Sequence, residues 1–325
     1  MMKKLLVYAM FATGLLMAGS CQKEASEVEV VEYVKTAFTV QIPSDSQTKA
    51  VSEAANTDVV YYEVWDEEFE TKLFPYEGSA DNFAPVDTET KMAEVIIDLV
   101  ADQTFNLIFW AQNKDCGAYT WTDLKNVSVD YSKFAANNKD VYDAFYAVEK
   151  IFADGSDKTV KLYRPFAQLN FGATKMSTSL GDLSINSNTV TVSKVAKVFN
   201  TVSGQAASDS YEAVTFTAGK GGLVQDERED HKDLAVGENH FYWVAMNYLF
   251  VPSADKATVT VDAVFATSGG EIKHKIENVP LKKNYRTNIV GDLFTSDAHL
   301  KVVVIKDFMP GDLAPEDDEA ENEKI

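Results

Sequence analysis

Ala257-Thr258-Val259-Thr260-Val261-Asp262-Ala263-Val264-Phe265-Ala266-Thr267 is the stretch that decides the fold. Val259, Val261, Ala263 and Phe265 fall on one side of an extended chain, and Thr258, Thr260 and Asp262 on the other. A period of two belongs to a strand with one face in a core and one in water. Ser268-Gly269-Gly270 supplies a turn, and Glu271 to Val279 follows with Ile272 and Ile276 inward. Upstream, Phe241 to Val251 is nearly all apolar, the pattern of a strand covered on both faces. Tyr211 to Thr217 and, less regularly, Val190 to Phe199 read as strands as well. Downstream, Asn284 to Leu293 and His299 to Asp307 complete the series.

The first half has the same grammar. Phe38, Val40 and Ile42 alternate with Thr39 and Gln41, and Pro43 ends that strand. Val59 to Trp65 and Ala144 to Phe152 are strands. Val95 to Val100 and Phe105 to Trp110, separated by Ala101-Asp102-Gln103-Thr104, predict a hairpin. Leu124 to Asp130 is a short strand, and Tyr131 to Tyr142 a polar excursion with one helical turn. Val160 to Ala173 sits at mid-chain, where Pro165 forbids a central ladder bond; the domain junction falls here. Strands recur every 8–15 residues and no amphipathic helix exceeds about two turns, which favours all-β sandwiches over βαβ units. The expectation is an all-β chain of two sandwiches, 35–163 and 164–312. A tether over 21–34 precedes them and an acidic, disordered tail over 313–325 follows.

Composition narrows the partners. Beyond residue 20 the chain holds 28 basic and 50 acidic residues, a net charge of −22. Nucleic-acid binding needs clustered Lys and Arg, so that class is excluded. The arginines are Arg164, Arg228 and Arg286.

Enzyme signatures are missing: no G-x-S-x-G, H-E-x-x-H or C-x-x-C occurs. The expectation is a non-enzymatic chain with no catalytic centre, metal site or cofactor. Gly219-Lys220-Gly221-Gly222 has Val224 where a dinucleotide loop needs its third glycine, so it reads as a turn. Asp226, Glu227, Glu229, Asp230, His231 and Asp233 lack the spacing of a Ca²⁺ loop and read as a solvated loop. Asp66, Glu67, Glu68 and Glu70 are neighbours on one turn, whereas glycosidase carboxylates face each other across a cleft. Cys116 has every histidine in the other half of the chain and reads as a small buried hydrophobe. Trp110, Tyr119 and Trp121 are candidate glycan contacts, since 119 and 121 would share one strand face; the competing reading places them in the core.

The N-terminus carries an address. Lys3 and Lys4 precede thirteen largely apolar residues, Leu5 to Met17, too few to span a hydrocarbon core. Ala18-Gly19-Ser20-Cys21 follows, and the segment resembles a bacterial lipoprotein signal. That resemblance implies cleavage before Cys21, lipidation of Cys21, and attachment to the outer membrane at the cell surface.

Four features together resemble the fimbrillin-like lipoproteins of gut Bacteroidales, a family largely of unknown function. They are the lipobox, Gln47-Thr48-Lys49-Ala50, Arg164-Pro165-Phe166-Ala167-Gln168-Leu169-Asn170, and Asn284-Tyr285-Arg286-Thr287-Asn288-Ile289. The resemblance implies two tandem transthyretin-like sandwiches of Greek-key type. It also implies assembly by strand exchange, in which an N-terminal strand leaves after proteolysis and another subunit's strand fills the groove. Cleavage in the best-known subunits follows an Arg. Here no Arg lies between Cys21 and Arg164, which leaves Lys35 and Lys49 as candidate processing sites. The implied role is an anchor or accessory subunit whose partners are other fimbrial subunits or host and bacterial surface ligands. The alternative is a glycan-binding surface lipoprotein of a polysaccharide-uptake system.

Overall fold

The computed structural model describes residues 31–43, 56–76, 82–136, 140–178, 181–182, 185–207, 209–219, 234–251, 257–295, 299–305 and 322–324. The first strands in chain order are β1 (Tyr33–Gln41), β2 (Val59–Trp65), β3 (Lys72–Phe74), β4 (Phe83–Pro85) and β5 (Met92–Val100). Then come β6 (Thr104–Gln112), β7 (Tyr119–Thr120), β8 (Asn126–Val129), β9 (Ala144–Phe152) and β10 (Lys158–Lys161). Two sheets, β10-β1-β5 and β3-β2-β6-β9 with β4 on β2, face each other. Phe38, Val40, Val60, Val64, Val95, Leu107, Phe109, Phe145 and Val160 fill the core between them.

The hairpin expected over 95–110 does not form. β5 pairs with β1, while β6 pairs with β2 and β9 in the opposite sheet. Burial explains the difference. β5 alternates exposed and buried residues, whereas every β6 residue after Thr104 is buried. Phe105, Leu107, Phe109 and Ala111 enter one core, and Ile108 and Trp110 enter another. A strand that feeds two cores must lie between them, so the short link through Asp102, at φ 57°, crosses from sheet to sheet.

The second half supplies β11 (Phe166–Ala173), the small pair β12 (Ser177–Thr178) and β13 (Gly181–Asp182), β14 (Ile185–Ala196), β15 (Val198–Asn200), β16 (Gln205–Ala206) and β17 (Tyr211–Gly219). After these come β18 (Leu234–Val236), β19 (Asn239–Phe250), β20 (Ala257–Thr267), β21 (Gly270–Leu281), β22 (Arg286–Gly291), β23 (Leu300–Ile305) and β24 (Asn322–Lys324). β17, β14, β20 and β21 pair in that order, and β18, β19, β11, β22, β23 and β24 pair in theirs. A single rung, Ala196 opposite Phe250, joins the two runs. The stretch 257–267 behaves as its alternation demands, with Val259, Val261, Ala263 and Phe265 all at 3% exposure or less.

Val160 to Ala173 divides at Pro165. β10 runs parallel to β1, and β11 lies between β19 and β22 in another sheet. The excursion contributes two 3₁₀ turns, Tyr131–Ala136 and Asp140–Tyr142, and the aromatic side chains Tyr131, Phe134 and Tyr142 are buried. Of the tail expected to be disordered, only 322–324 are described, and these pair with β23.

Tyr33–Ile325 forms one compact unit. The two halves share a small sheet, β16-β15-β8-β7, in which Val198, Phe199 and Asn200 pair with Ser128, Val127 and Asn126. The described residues contain no helix long and apolar enough to cross a membrane.

Candidate functional site

β1 is the centre of the first site. Its nine residues pair with β5 from Tyr33–Val100 to Gln41–Met92, and its last four pair with β10. Thr36, Phe38, Val40 and, just beyond, Ile42 point inward at 3% exposure or less. The Phe38 ring sits 5.9 Å from that of Phe109. Burying an aliphatic or aromatic side chain of this size contributes about 1.5–3 kcal/mol. Withdrawing β1 would therefore leave an apolar groove with two ladders unpaired. Lys35 lies on the outer face of β1, exposed and opposite Asp98. Lys49 and Cys21 fall outside the described residues.

The chain leaves this groove by β10 and is clamped at once. Leu162 N–H donates to Gln41 O at 3.0 Å, and Tyr163 bridges Tyr146. Arg164 then reaches Asp143: its Nε is 3.0 Å from each carboxylate oxygen and its Nη2 is 2.8 Å from Oδ2. Both side chains are buried, and the guanidinium lies 4.7 Å from the Phe145 ring centroid. Burial pushes the Asp143 carboxyl above the usual carboxylate range, and Arg164 and, less strongly, Arg286 draw it part of the way back. Arg164 is thus shielded from a protease twice, by Pro165 and by its ion pair. The sequence showed no sign of the pair, because its members are brought together only by the fold.

The aromatic candidates separate. Trp110 is fully buried and its Nε1–H donates to Gln112 Oε1 at 2.9 Å. Tyr119 is buried too, edge-on to Trp110 at 5.5 Å, with its hydroxyl donating to Tyr142 O. Burial holds that phenol well above its ordinary value. Trp110 and Tyr119, candidates for glycan contact, thus lie in the core, as the competing reading had it. β7 ends at Thr120, so residues 119 and 121 do not share a strand face. Trp121 alone keeps partial exposure, edge-on to Tyr61 at 5.1 Å. Trp110 and Tyr119 belong to the larger core, and Trp121 packs against it.

The remaining candidates are structural. The Cys116 thiol accepts from Gln112 Nε2 at 3.5 Å, and burial pushes its pKa up. Asp66 closes its own turn, accepting from Glu70 N–H at 2.7 Å and Thr71 N–H at 3.0 Å. Glu67 pairs with Lys150 at the surface. The acidic loop 226–233 and Lys220 to Gly222 fall outside the described residues, and among those described no cluster could hold a metal. Sequence reading missed Glu63, a buried carboxylate on β2. It accepts from Trp65 Nε1 at 3.0 Å and Leu124 N–H at 2.9 Å and faces Lys72 at 3.4 Å; burial raises its pKa.

Residues 27–320 match the Family of unknown function (DUF6562), and the chain belongs to that family. No curated protein matches it in sequence. Among solved structures, a candidate cell adhesion protein from Bacteroides uniformis ATCC 8492 aligns with TM-score 0.52 and 13% identity, covering 84% of this chain and 97% of that one. A protein from Bacteroides thetaiotaomicron described among candidate polysaccharide binding proteins (DUF1812) aligns with TM-score 0.51 and 12% identity, over 84% and 96% of the two chains. The fimbrial anchor protein Mfa2 from Porphyromonas gingivalis aligns with TM-score 0.42 and 11% identity, over 83% and 97%. At such identities the likeness of the first two is one of fold, and the fold is the all-β one expected.

Proposed function

We propose that this protein is a non-enzymatic, fimbrial-subunit-like surface lipoprotein, anchored to the outer membrane through Cys21. It acts as an anchor or accessory component that takes part in pilus assembly or adhesion by strand exchange. In this reading 35–163 and 164–312 are tandem transthyretin-like sandwiches. The observation that carries it is β1: a strand held between β5 and β10, filling a core with four inward side chains and separated from β2 by a long connection. Such a strand can leave whole and be replaced by another. Lys49 lies past its end, so a cut there frees β1 intact, while a cut at Lys35 would split it. With Arg164 buried and paired, the lipid end stays joined to the body unless a lysine-directed protease acts. Mass spectrometry of the native protein tests this: a mature N-terminus at Cys21 supports an anchor, and one beyond β1 overturns that role. Multimer ladders in unboiled gels support strand exchange, and their absence in the presence of assembled fimbriae counts against it.

The partial exposure of Trp121 beside Tyr61 favours a second reading, a glycan-binding surface lipoprotein. Affinity-gel binding lost on Trp121→Ala would favour it over the first.

A further inference from the structure

Thr36 is out of character with its row. Its inward neighbours on β1 are Phe38 and Val40, and its cross-strand partner on β5 is Ile97. The adjoining inward rungs are Val34–Leu99, Phe38–Val95 and Val40–Ala93, all apolar. Thr36 is 0% exposed, and its Oγ1 has no hydrogen-bond partner among the described residues. It also lies just outside the reach of β10, whose pairing begins at Phe38. β1 therefore carries a desolvated, unpaired hydroxyl where its ladder on one side has already ended. A buried hydroxyl left unpaired is penalised, while an apolar group of the same shape is not.

We propose that Thr36 is a built-in weak point that lets the groove discriminate against its own β1. Resting on the strand-exchange reading above, it assigns the preferred occupant. That occupant is a strand from another chain, with apolar residues at alternate positions and Val or Ile at the register facing Ile97. Such a strand makes the same backbone ladder and leaves no polar group stranded.

Two measurements on the mature chain test this. Hydrogen exchange of the β1 amides should slow about fivefold to tenfold in Thr36→Val and quicken in Thr36→Ala, which leaves a void. Exchange in Thr36→Val that is unchanged or faster overturns the proposal. Separately, the chain nicked between β1 and β2 is offered fluorescent peptides of the Tyr33–Ile42 sequence, with Thr or Val at position 36. The Val peptide should displace β1 about tenfold more readily. Equal entry of both peptides overturns the proposal. If neither enters, the strand-exchange reading falls, while the hydrogen-exchange result still decides the role of Thr36.

Discussion

Arg164 and Asp143 meet through contacts of 2.8–3.0 Å with almost no solvent around them. A buried pair of this kind is costly to break, because removing one partner strands the other's charge. Arg164→Ala should lose about 3–5 kcal/mol in urea unfolding at neutral pH. The pH dependence has a definite sign. An acid whose pKa is raised in the folded state binds its proton more readily there. Its stabilising share is present at low pH and is lost as pH rises past the ordinary Asp value. Removing Arg164 removes the main influence drawing Asp143 down, so the deficit should shrink as pH falls from about 7 to about 5. A loss that does not vary over that range would show that the charge is not stranded. Tyr131 is the second decisive residue. Its hydroxyl donates to Ala196 O at 2.9 Å and accepts Phe250 N–H at 3.0 Å. Tyr131→Phe should cost about 1–3 kcal/mol, measured the same way, since both backbone groups are buried.

Among the elements, β1, β2, β9, β19, β20 and β21 were all legible, because alternation or a continuous apolar run is written into each. Partnership was not. Val95 to Val100 and Phe105 to Trp110 are adjacent strands, but local pattern cannot say that β6 must be covered from both sides. The same limit governed Tyr119 and Trp121: a spacing of two suggested one shared face, but β7 ends at Thr120 and Tyr119 is buried. Arg164 and Asp143 were invisible as a pair, since a buried ion pair is a product of topology. One position at this scale admits a single residue type. At the end of β22, Gly291 has φ 150°, and a Cβ there would lie 2.2 Å from His299 O. Gly291→Ala should disrupt the β22–β23 pairing and lower the thermal midpoint by several degrees, as about 1–3 kcal/mol of backbone strain implies. An unchanged midpoint would mean that the connection to His299 yields without cost.

On the scale of the whole molecule, the two cores are not independent. β7 and β8 from the first half pair with β15 and β16 from the second, and Lys283 Nζ donates to Tyr146 Oη at 2.9 Å and to Gly204 O at 2.6 Å. Trp65, Ile108 and Trp110 of the first half belong to the larger core of the second. Chains whose domains meet through small polar interfaces tend to unfold in steps, whereas shared structure couples them. Calorimetry should give one cooperative transition; two well-separated ones would show that the shared sheet transmits little.

The rung between Ala196 and Phe250 has a bearing of its own. It is the spine of a book: among the described residues it is the one ladder rung between the two runs of strands. Any swinging apart of those covers must first break the Tyr131 clasp, because its oxygen holds a group from each side. The Phe250 amide proton is therefore a native gauge of the whole sandwich's integrity, silent to fraying at the rims and released only when the binding itself gives way.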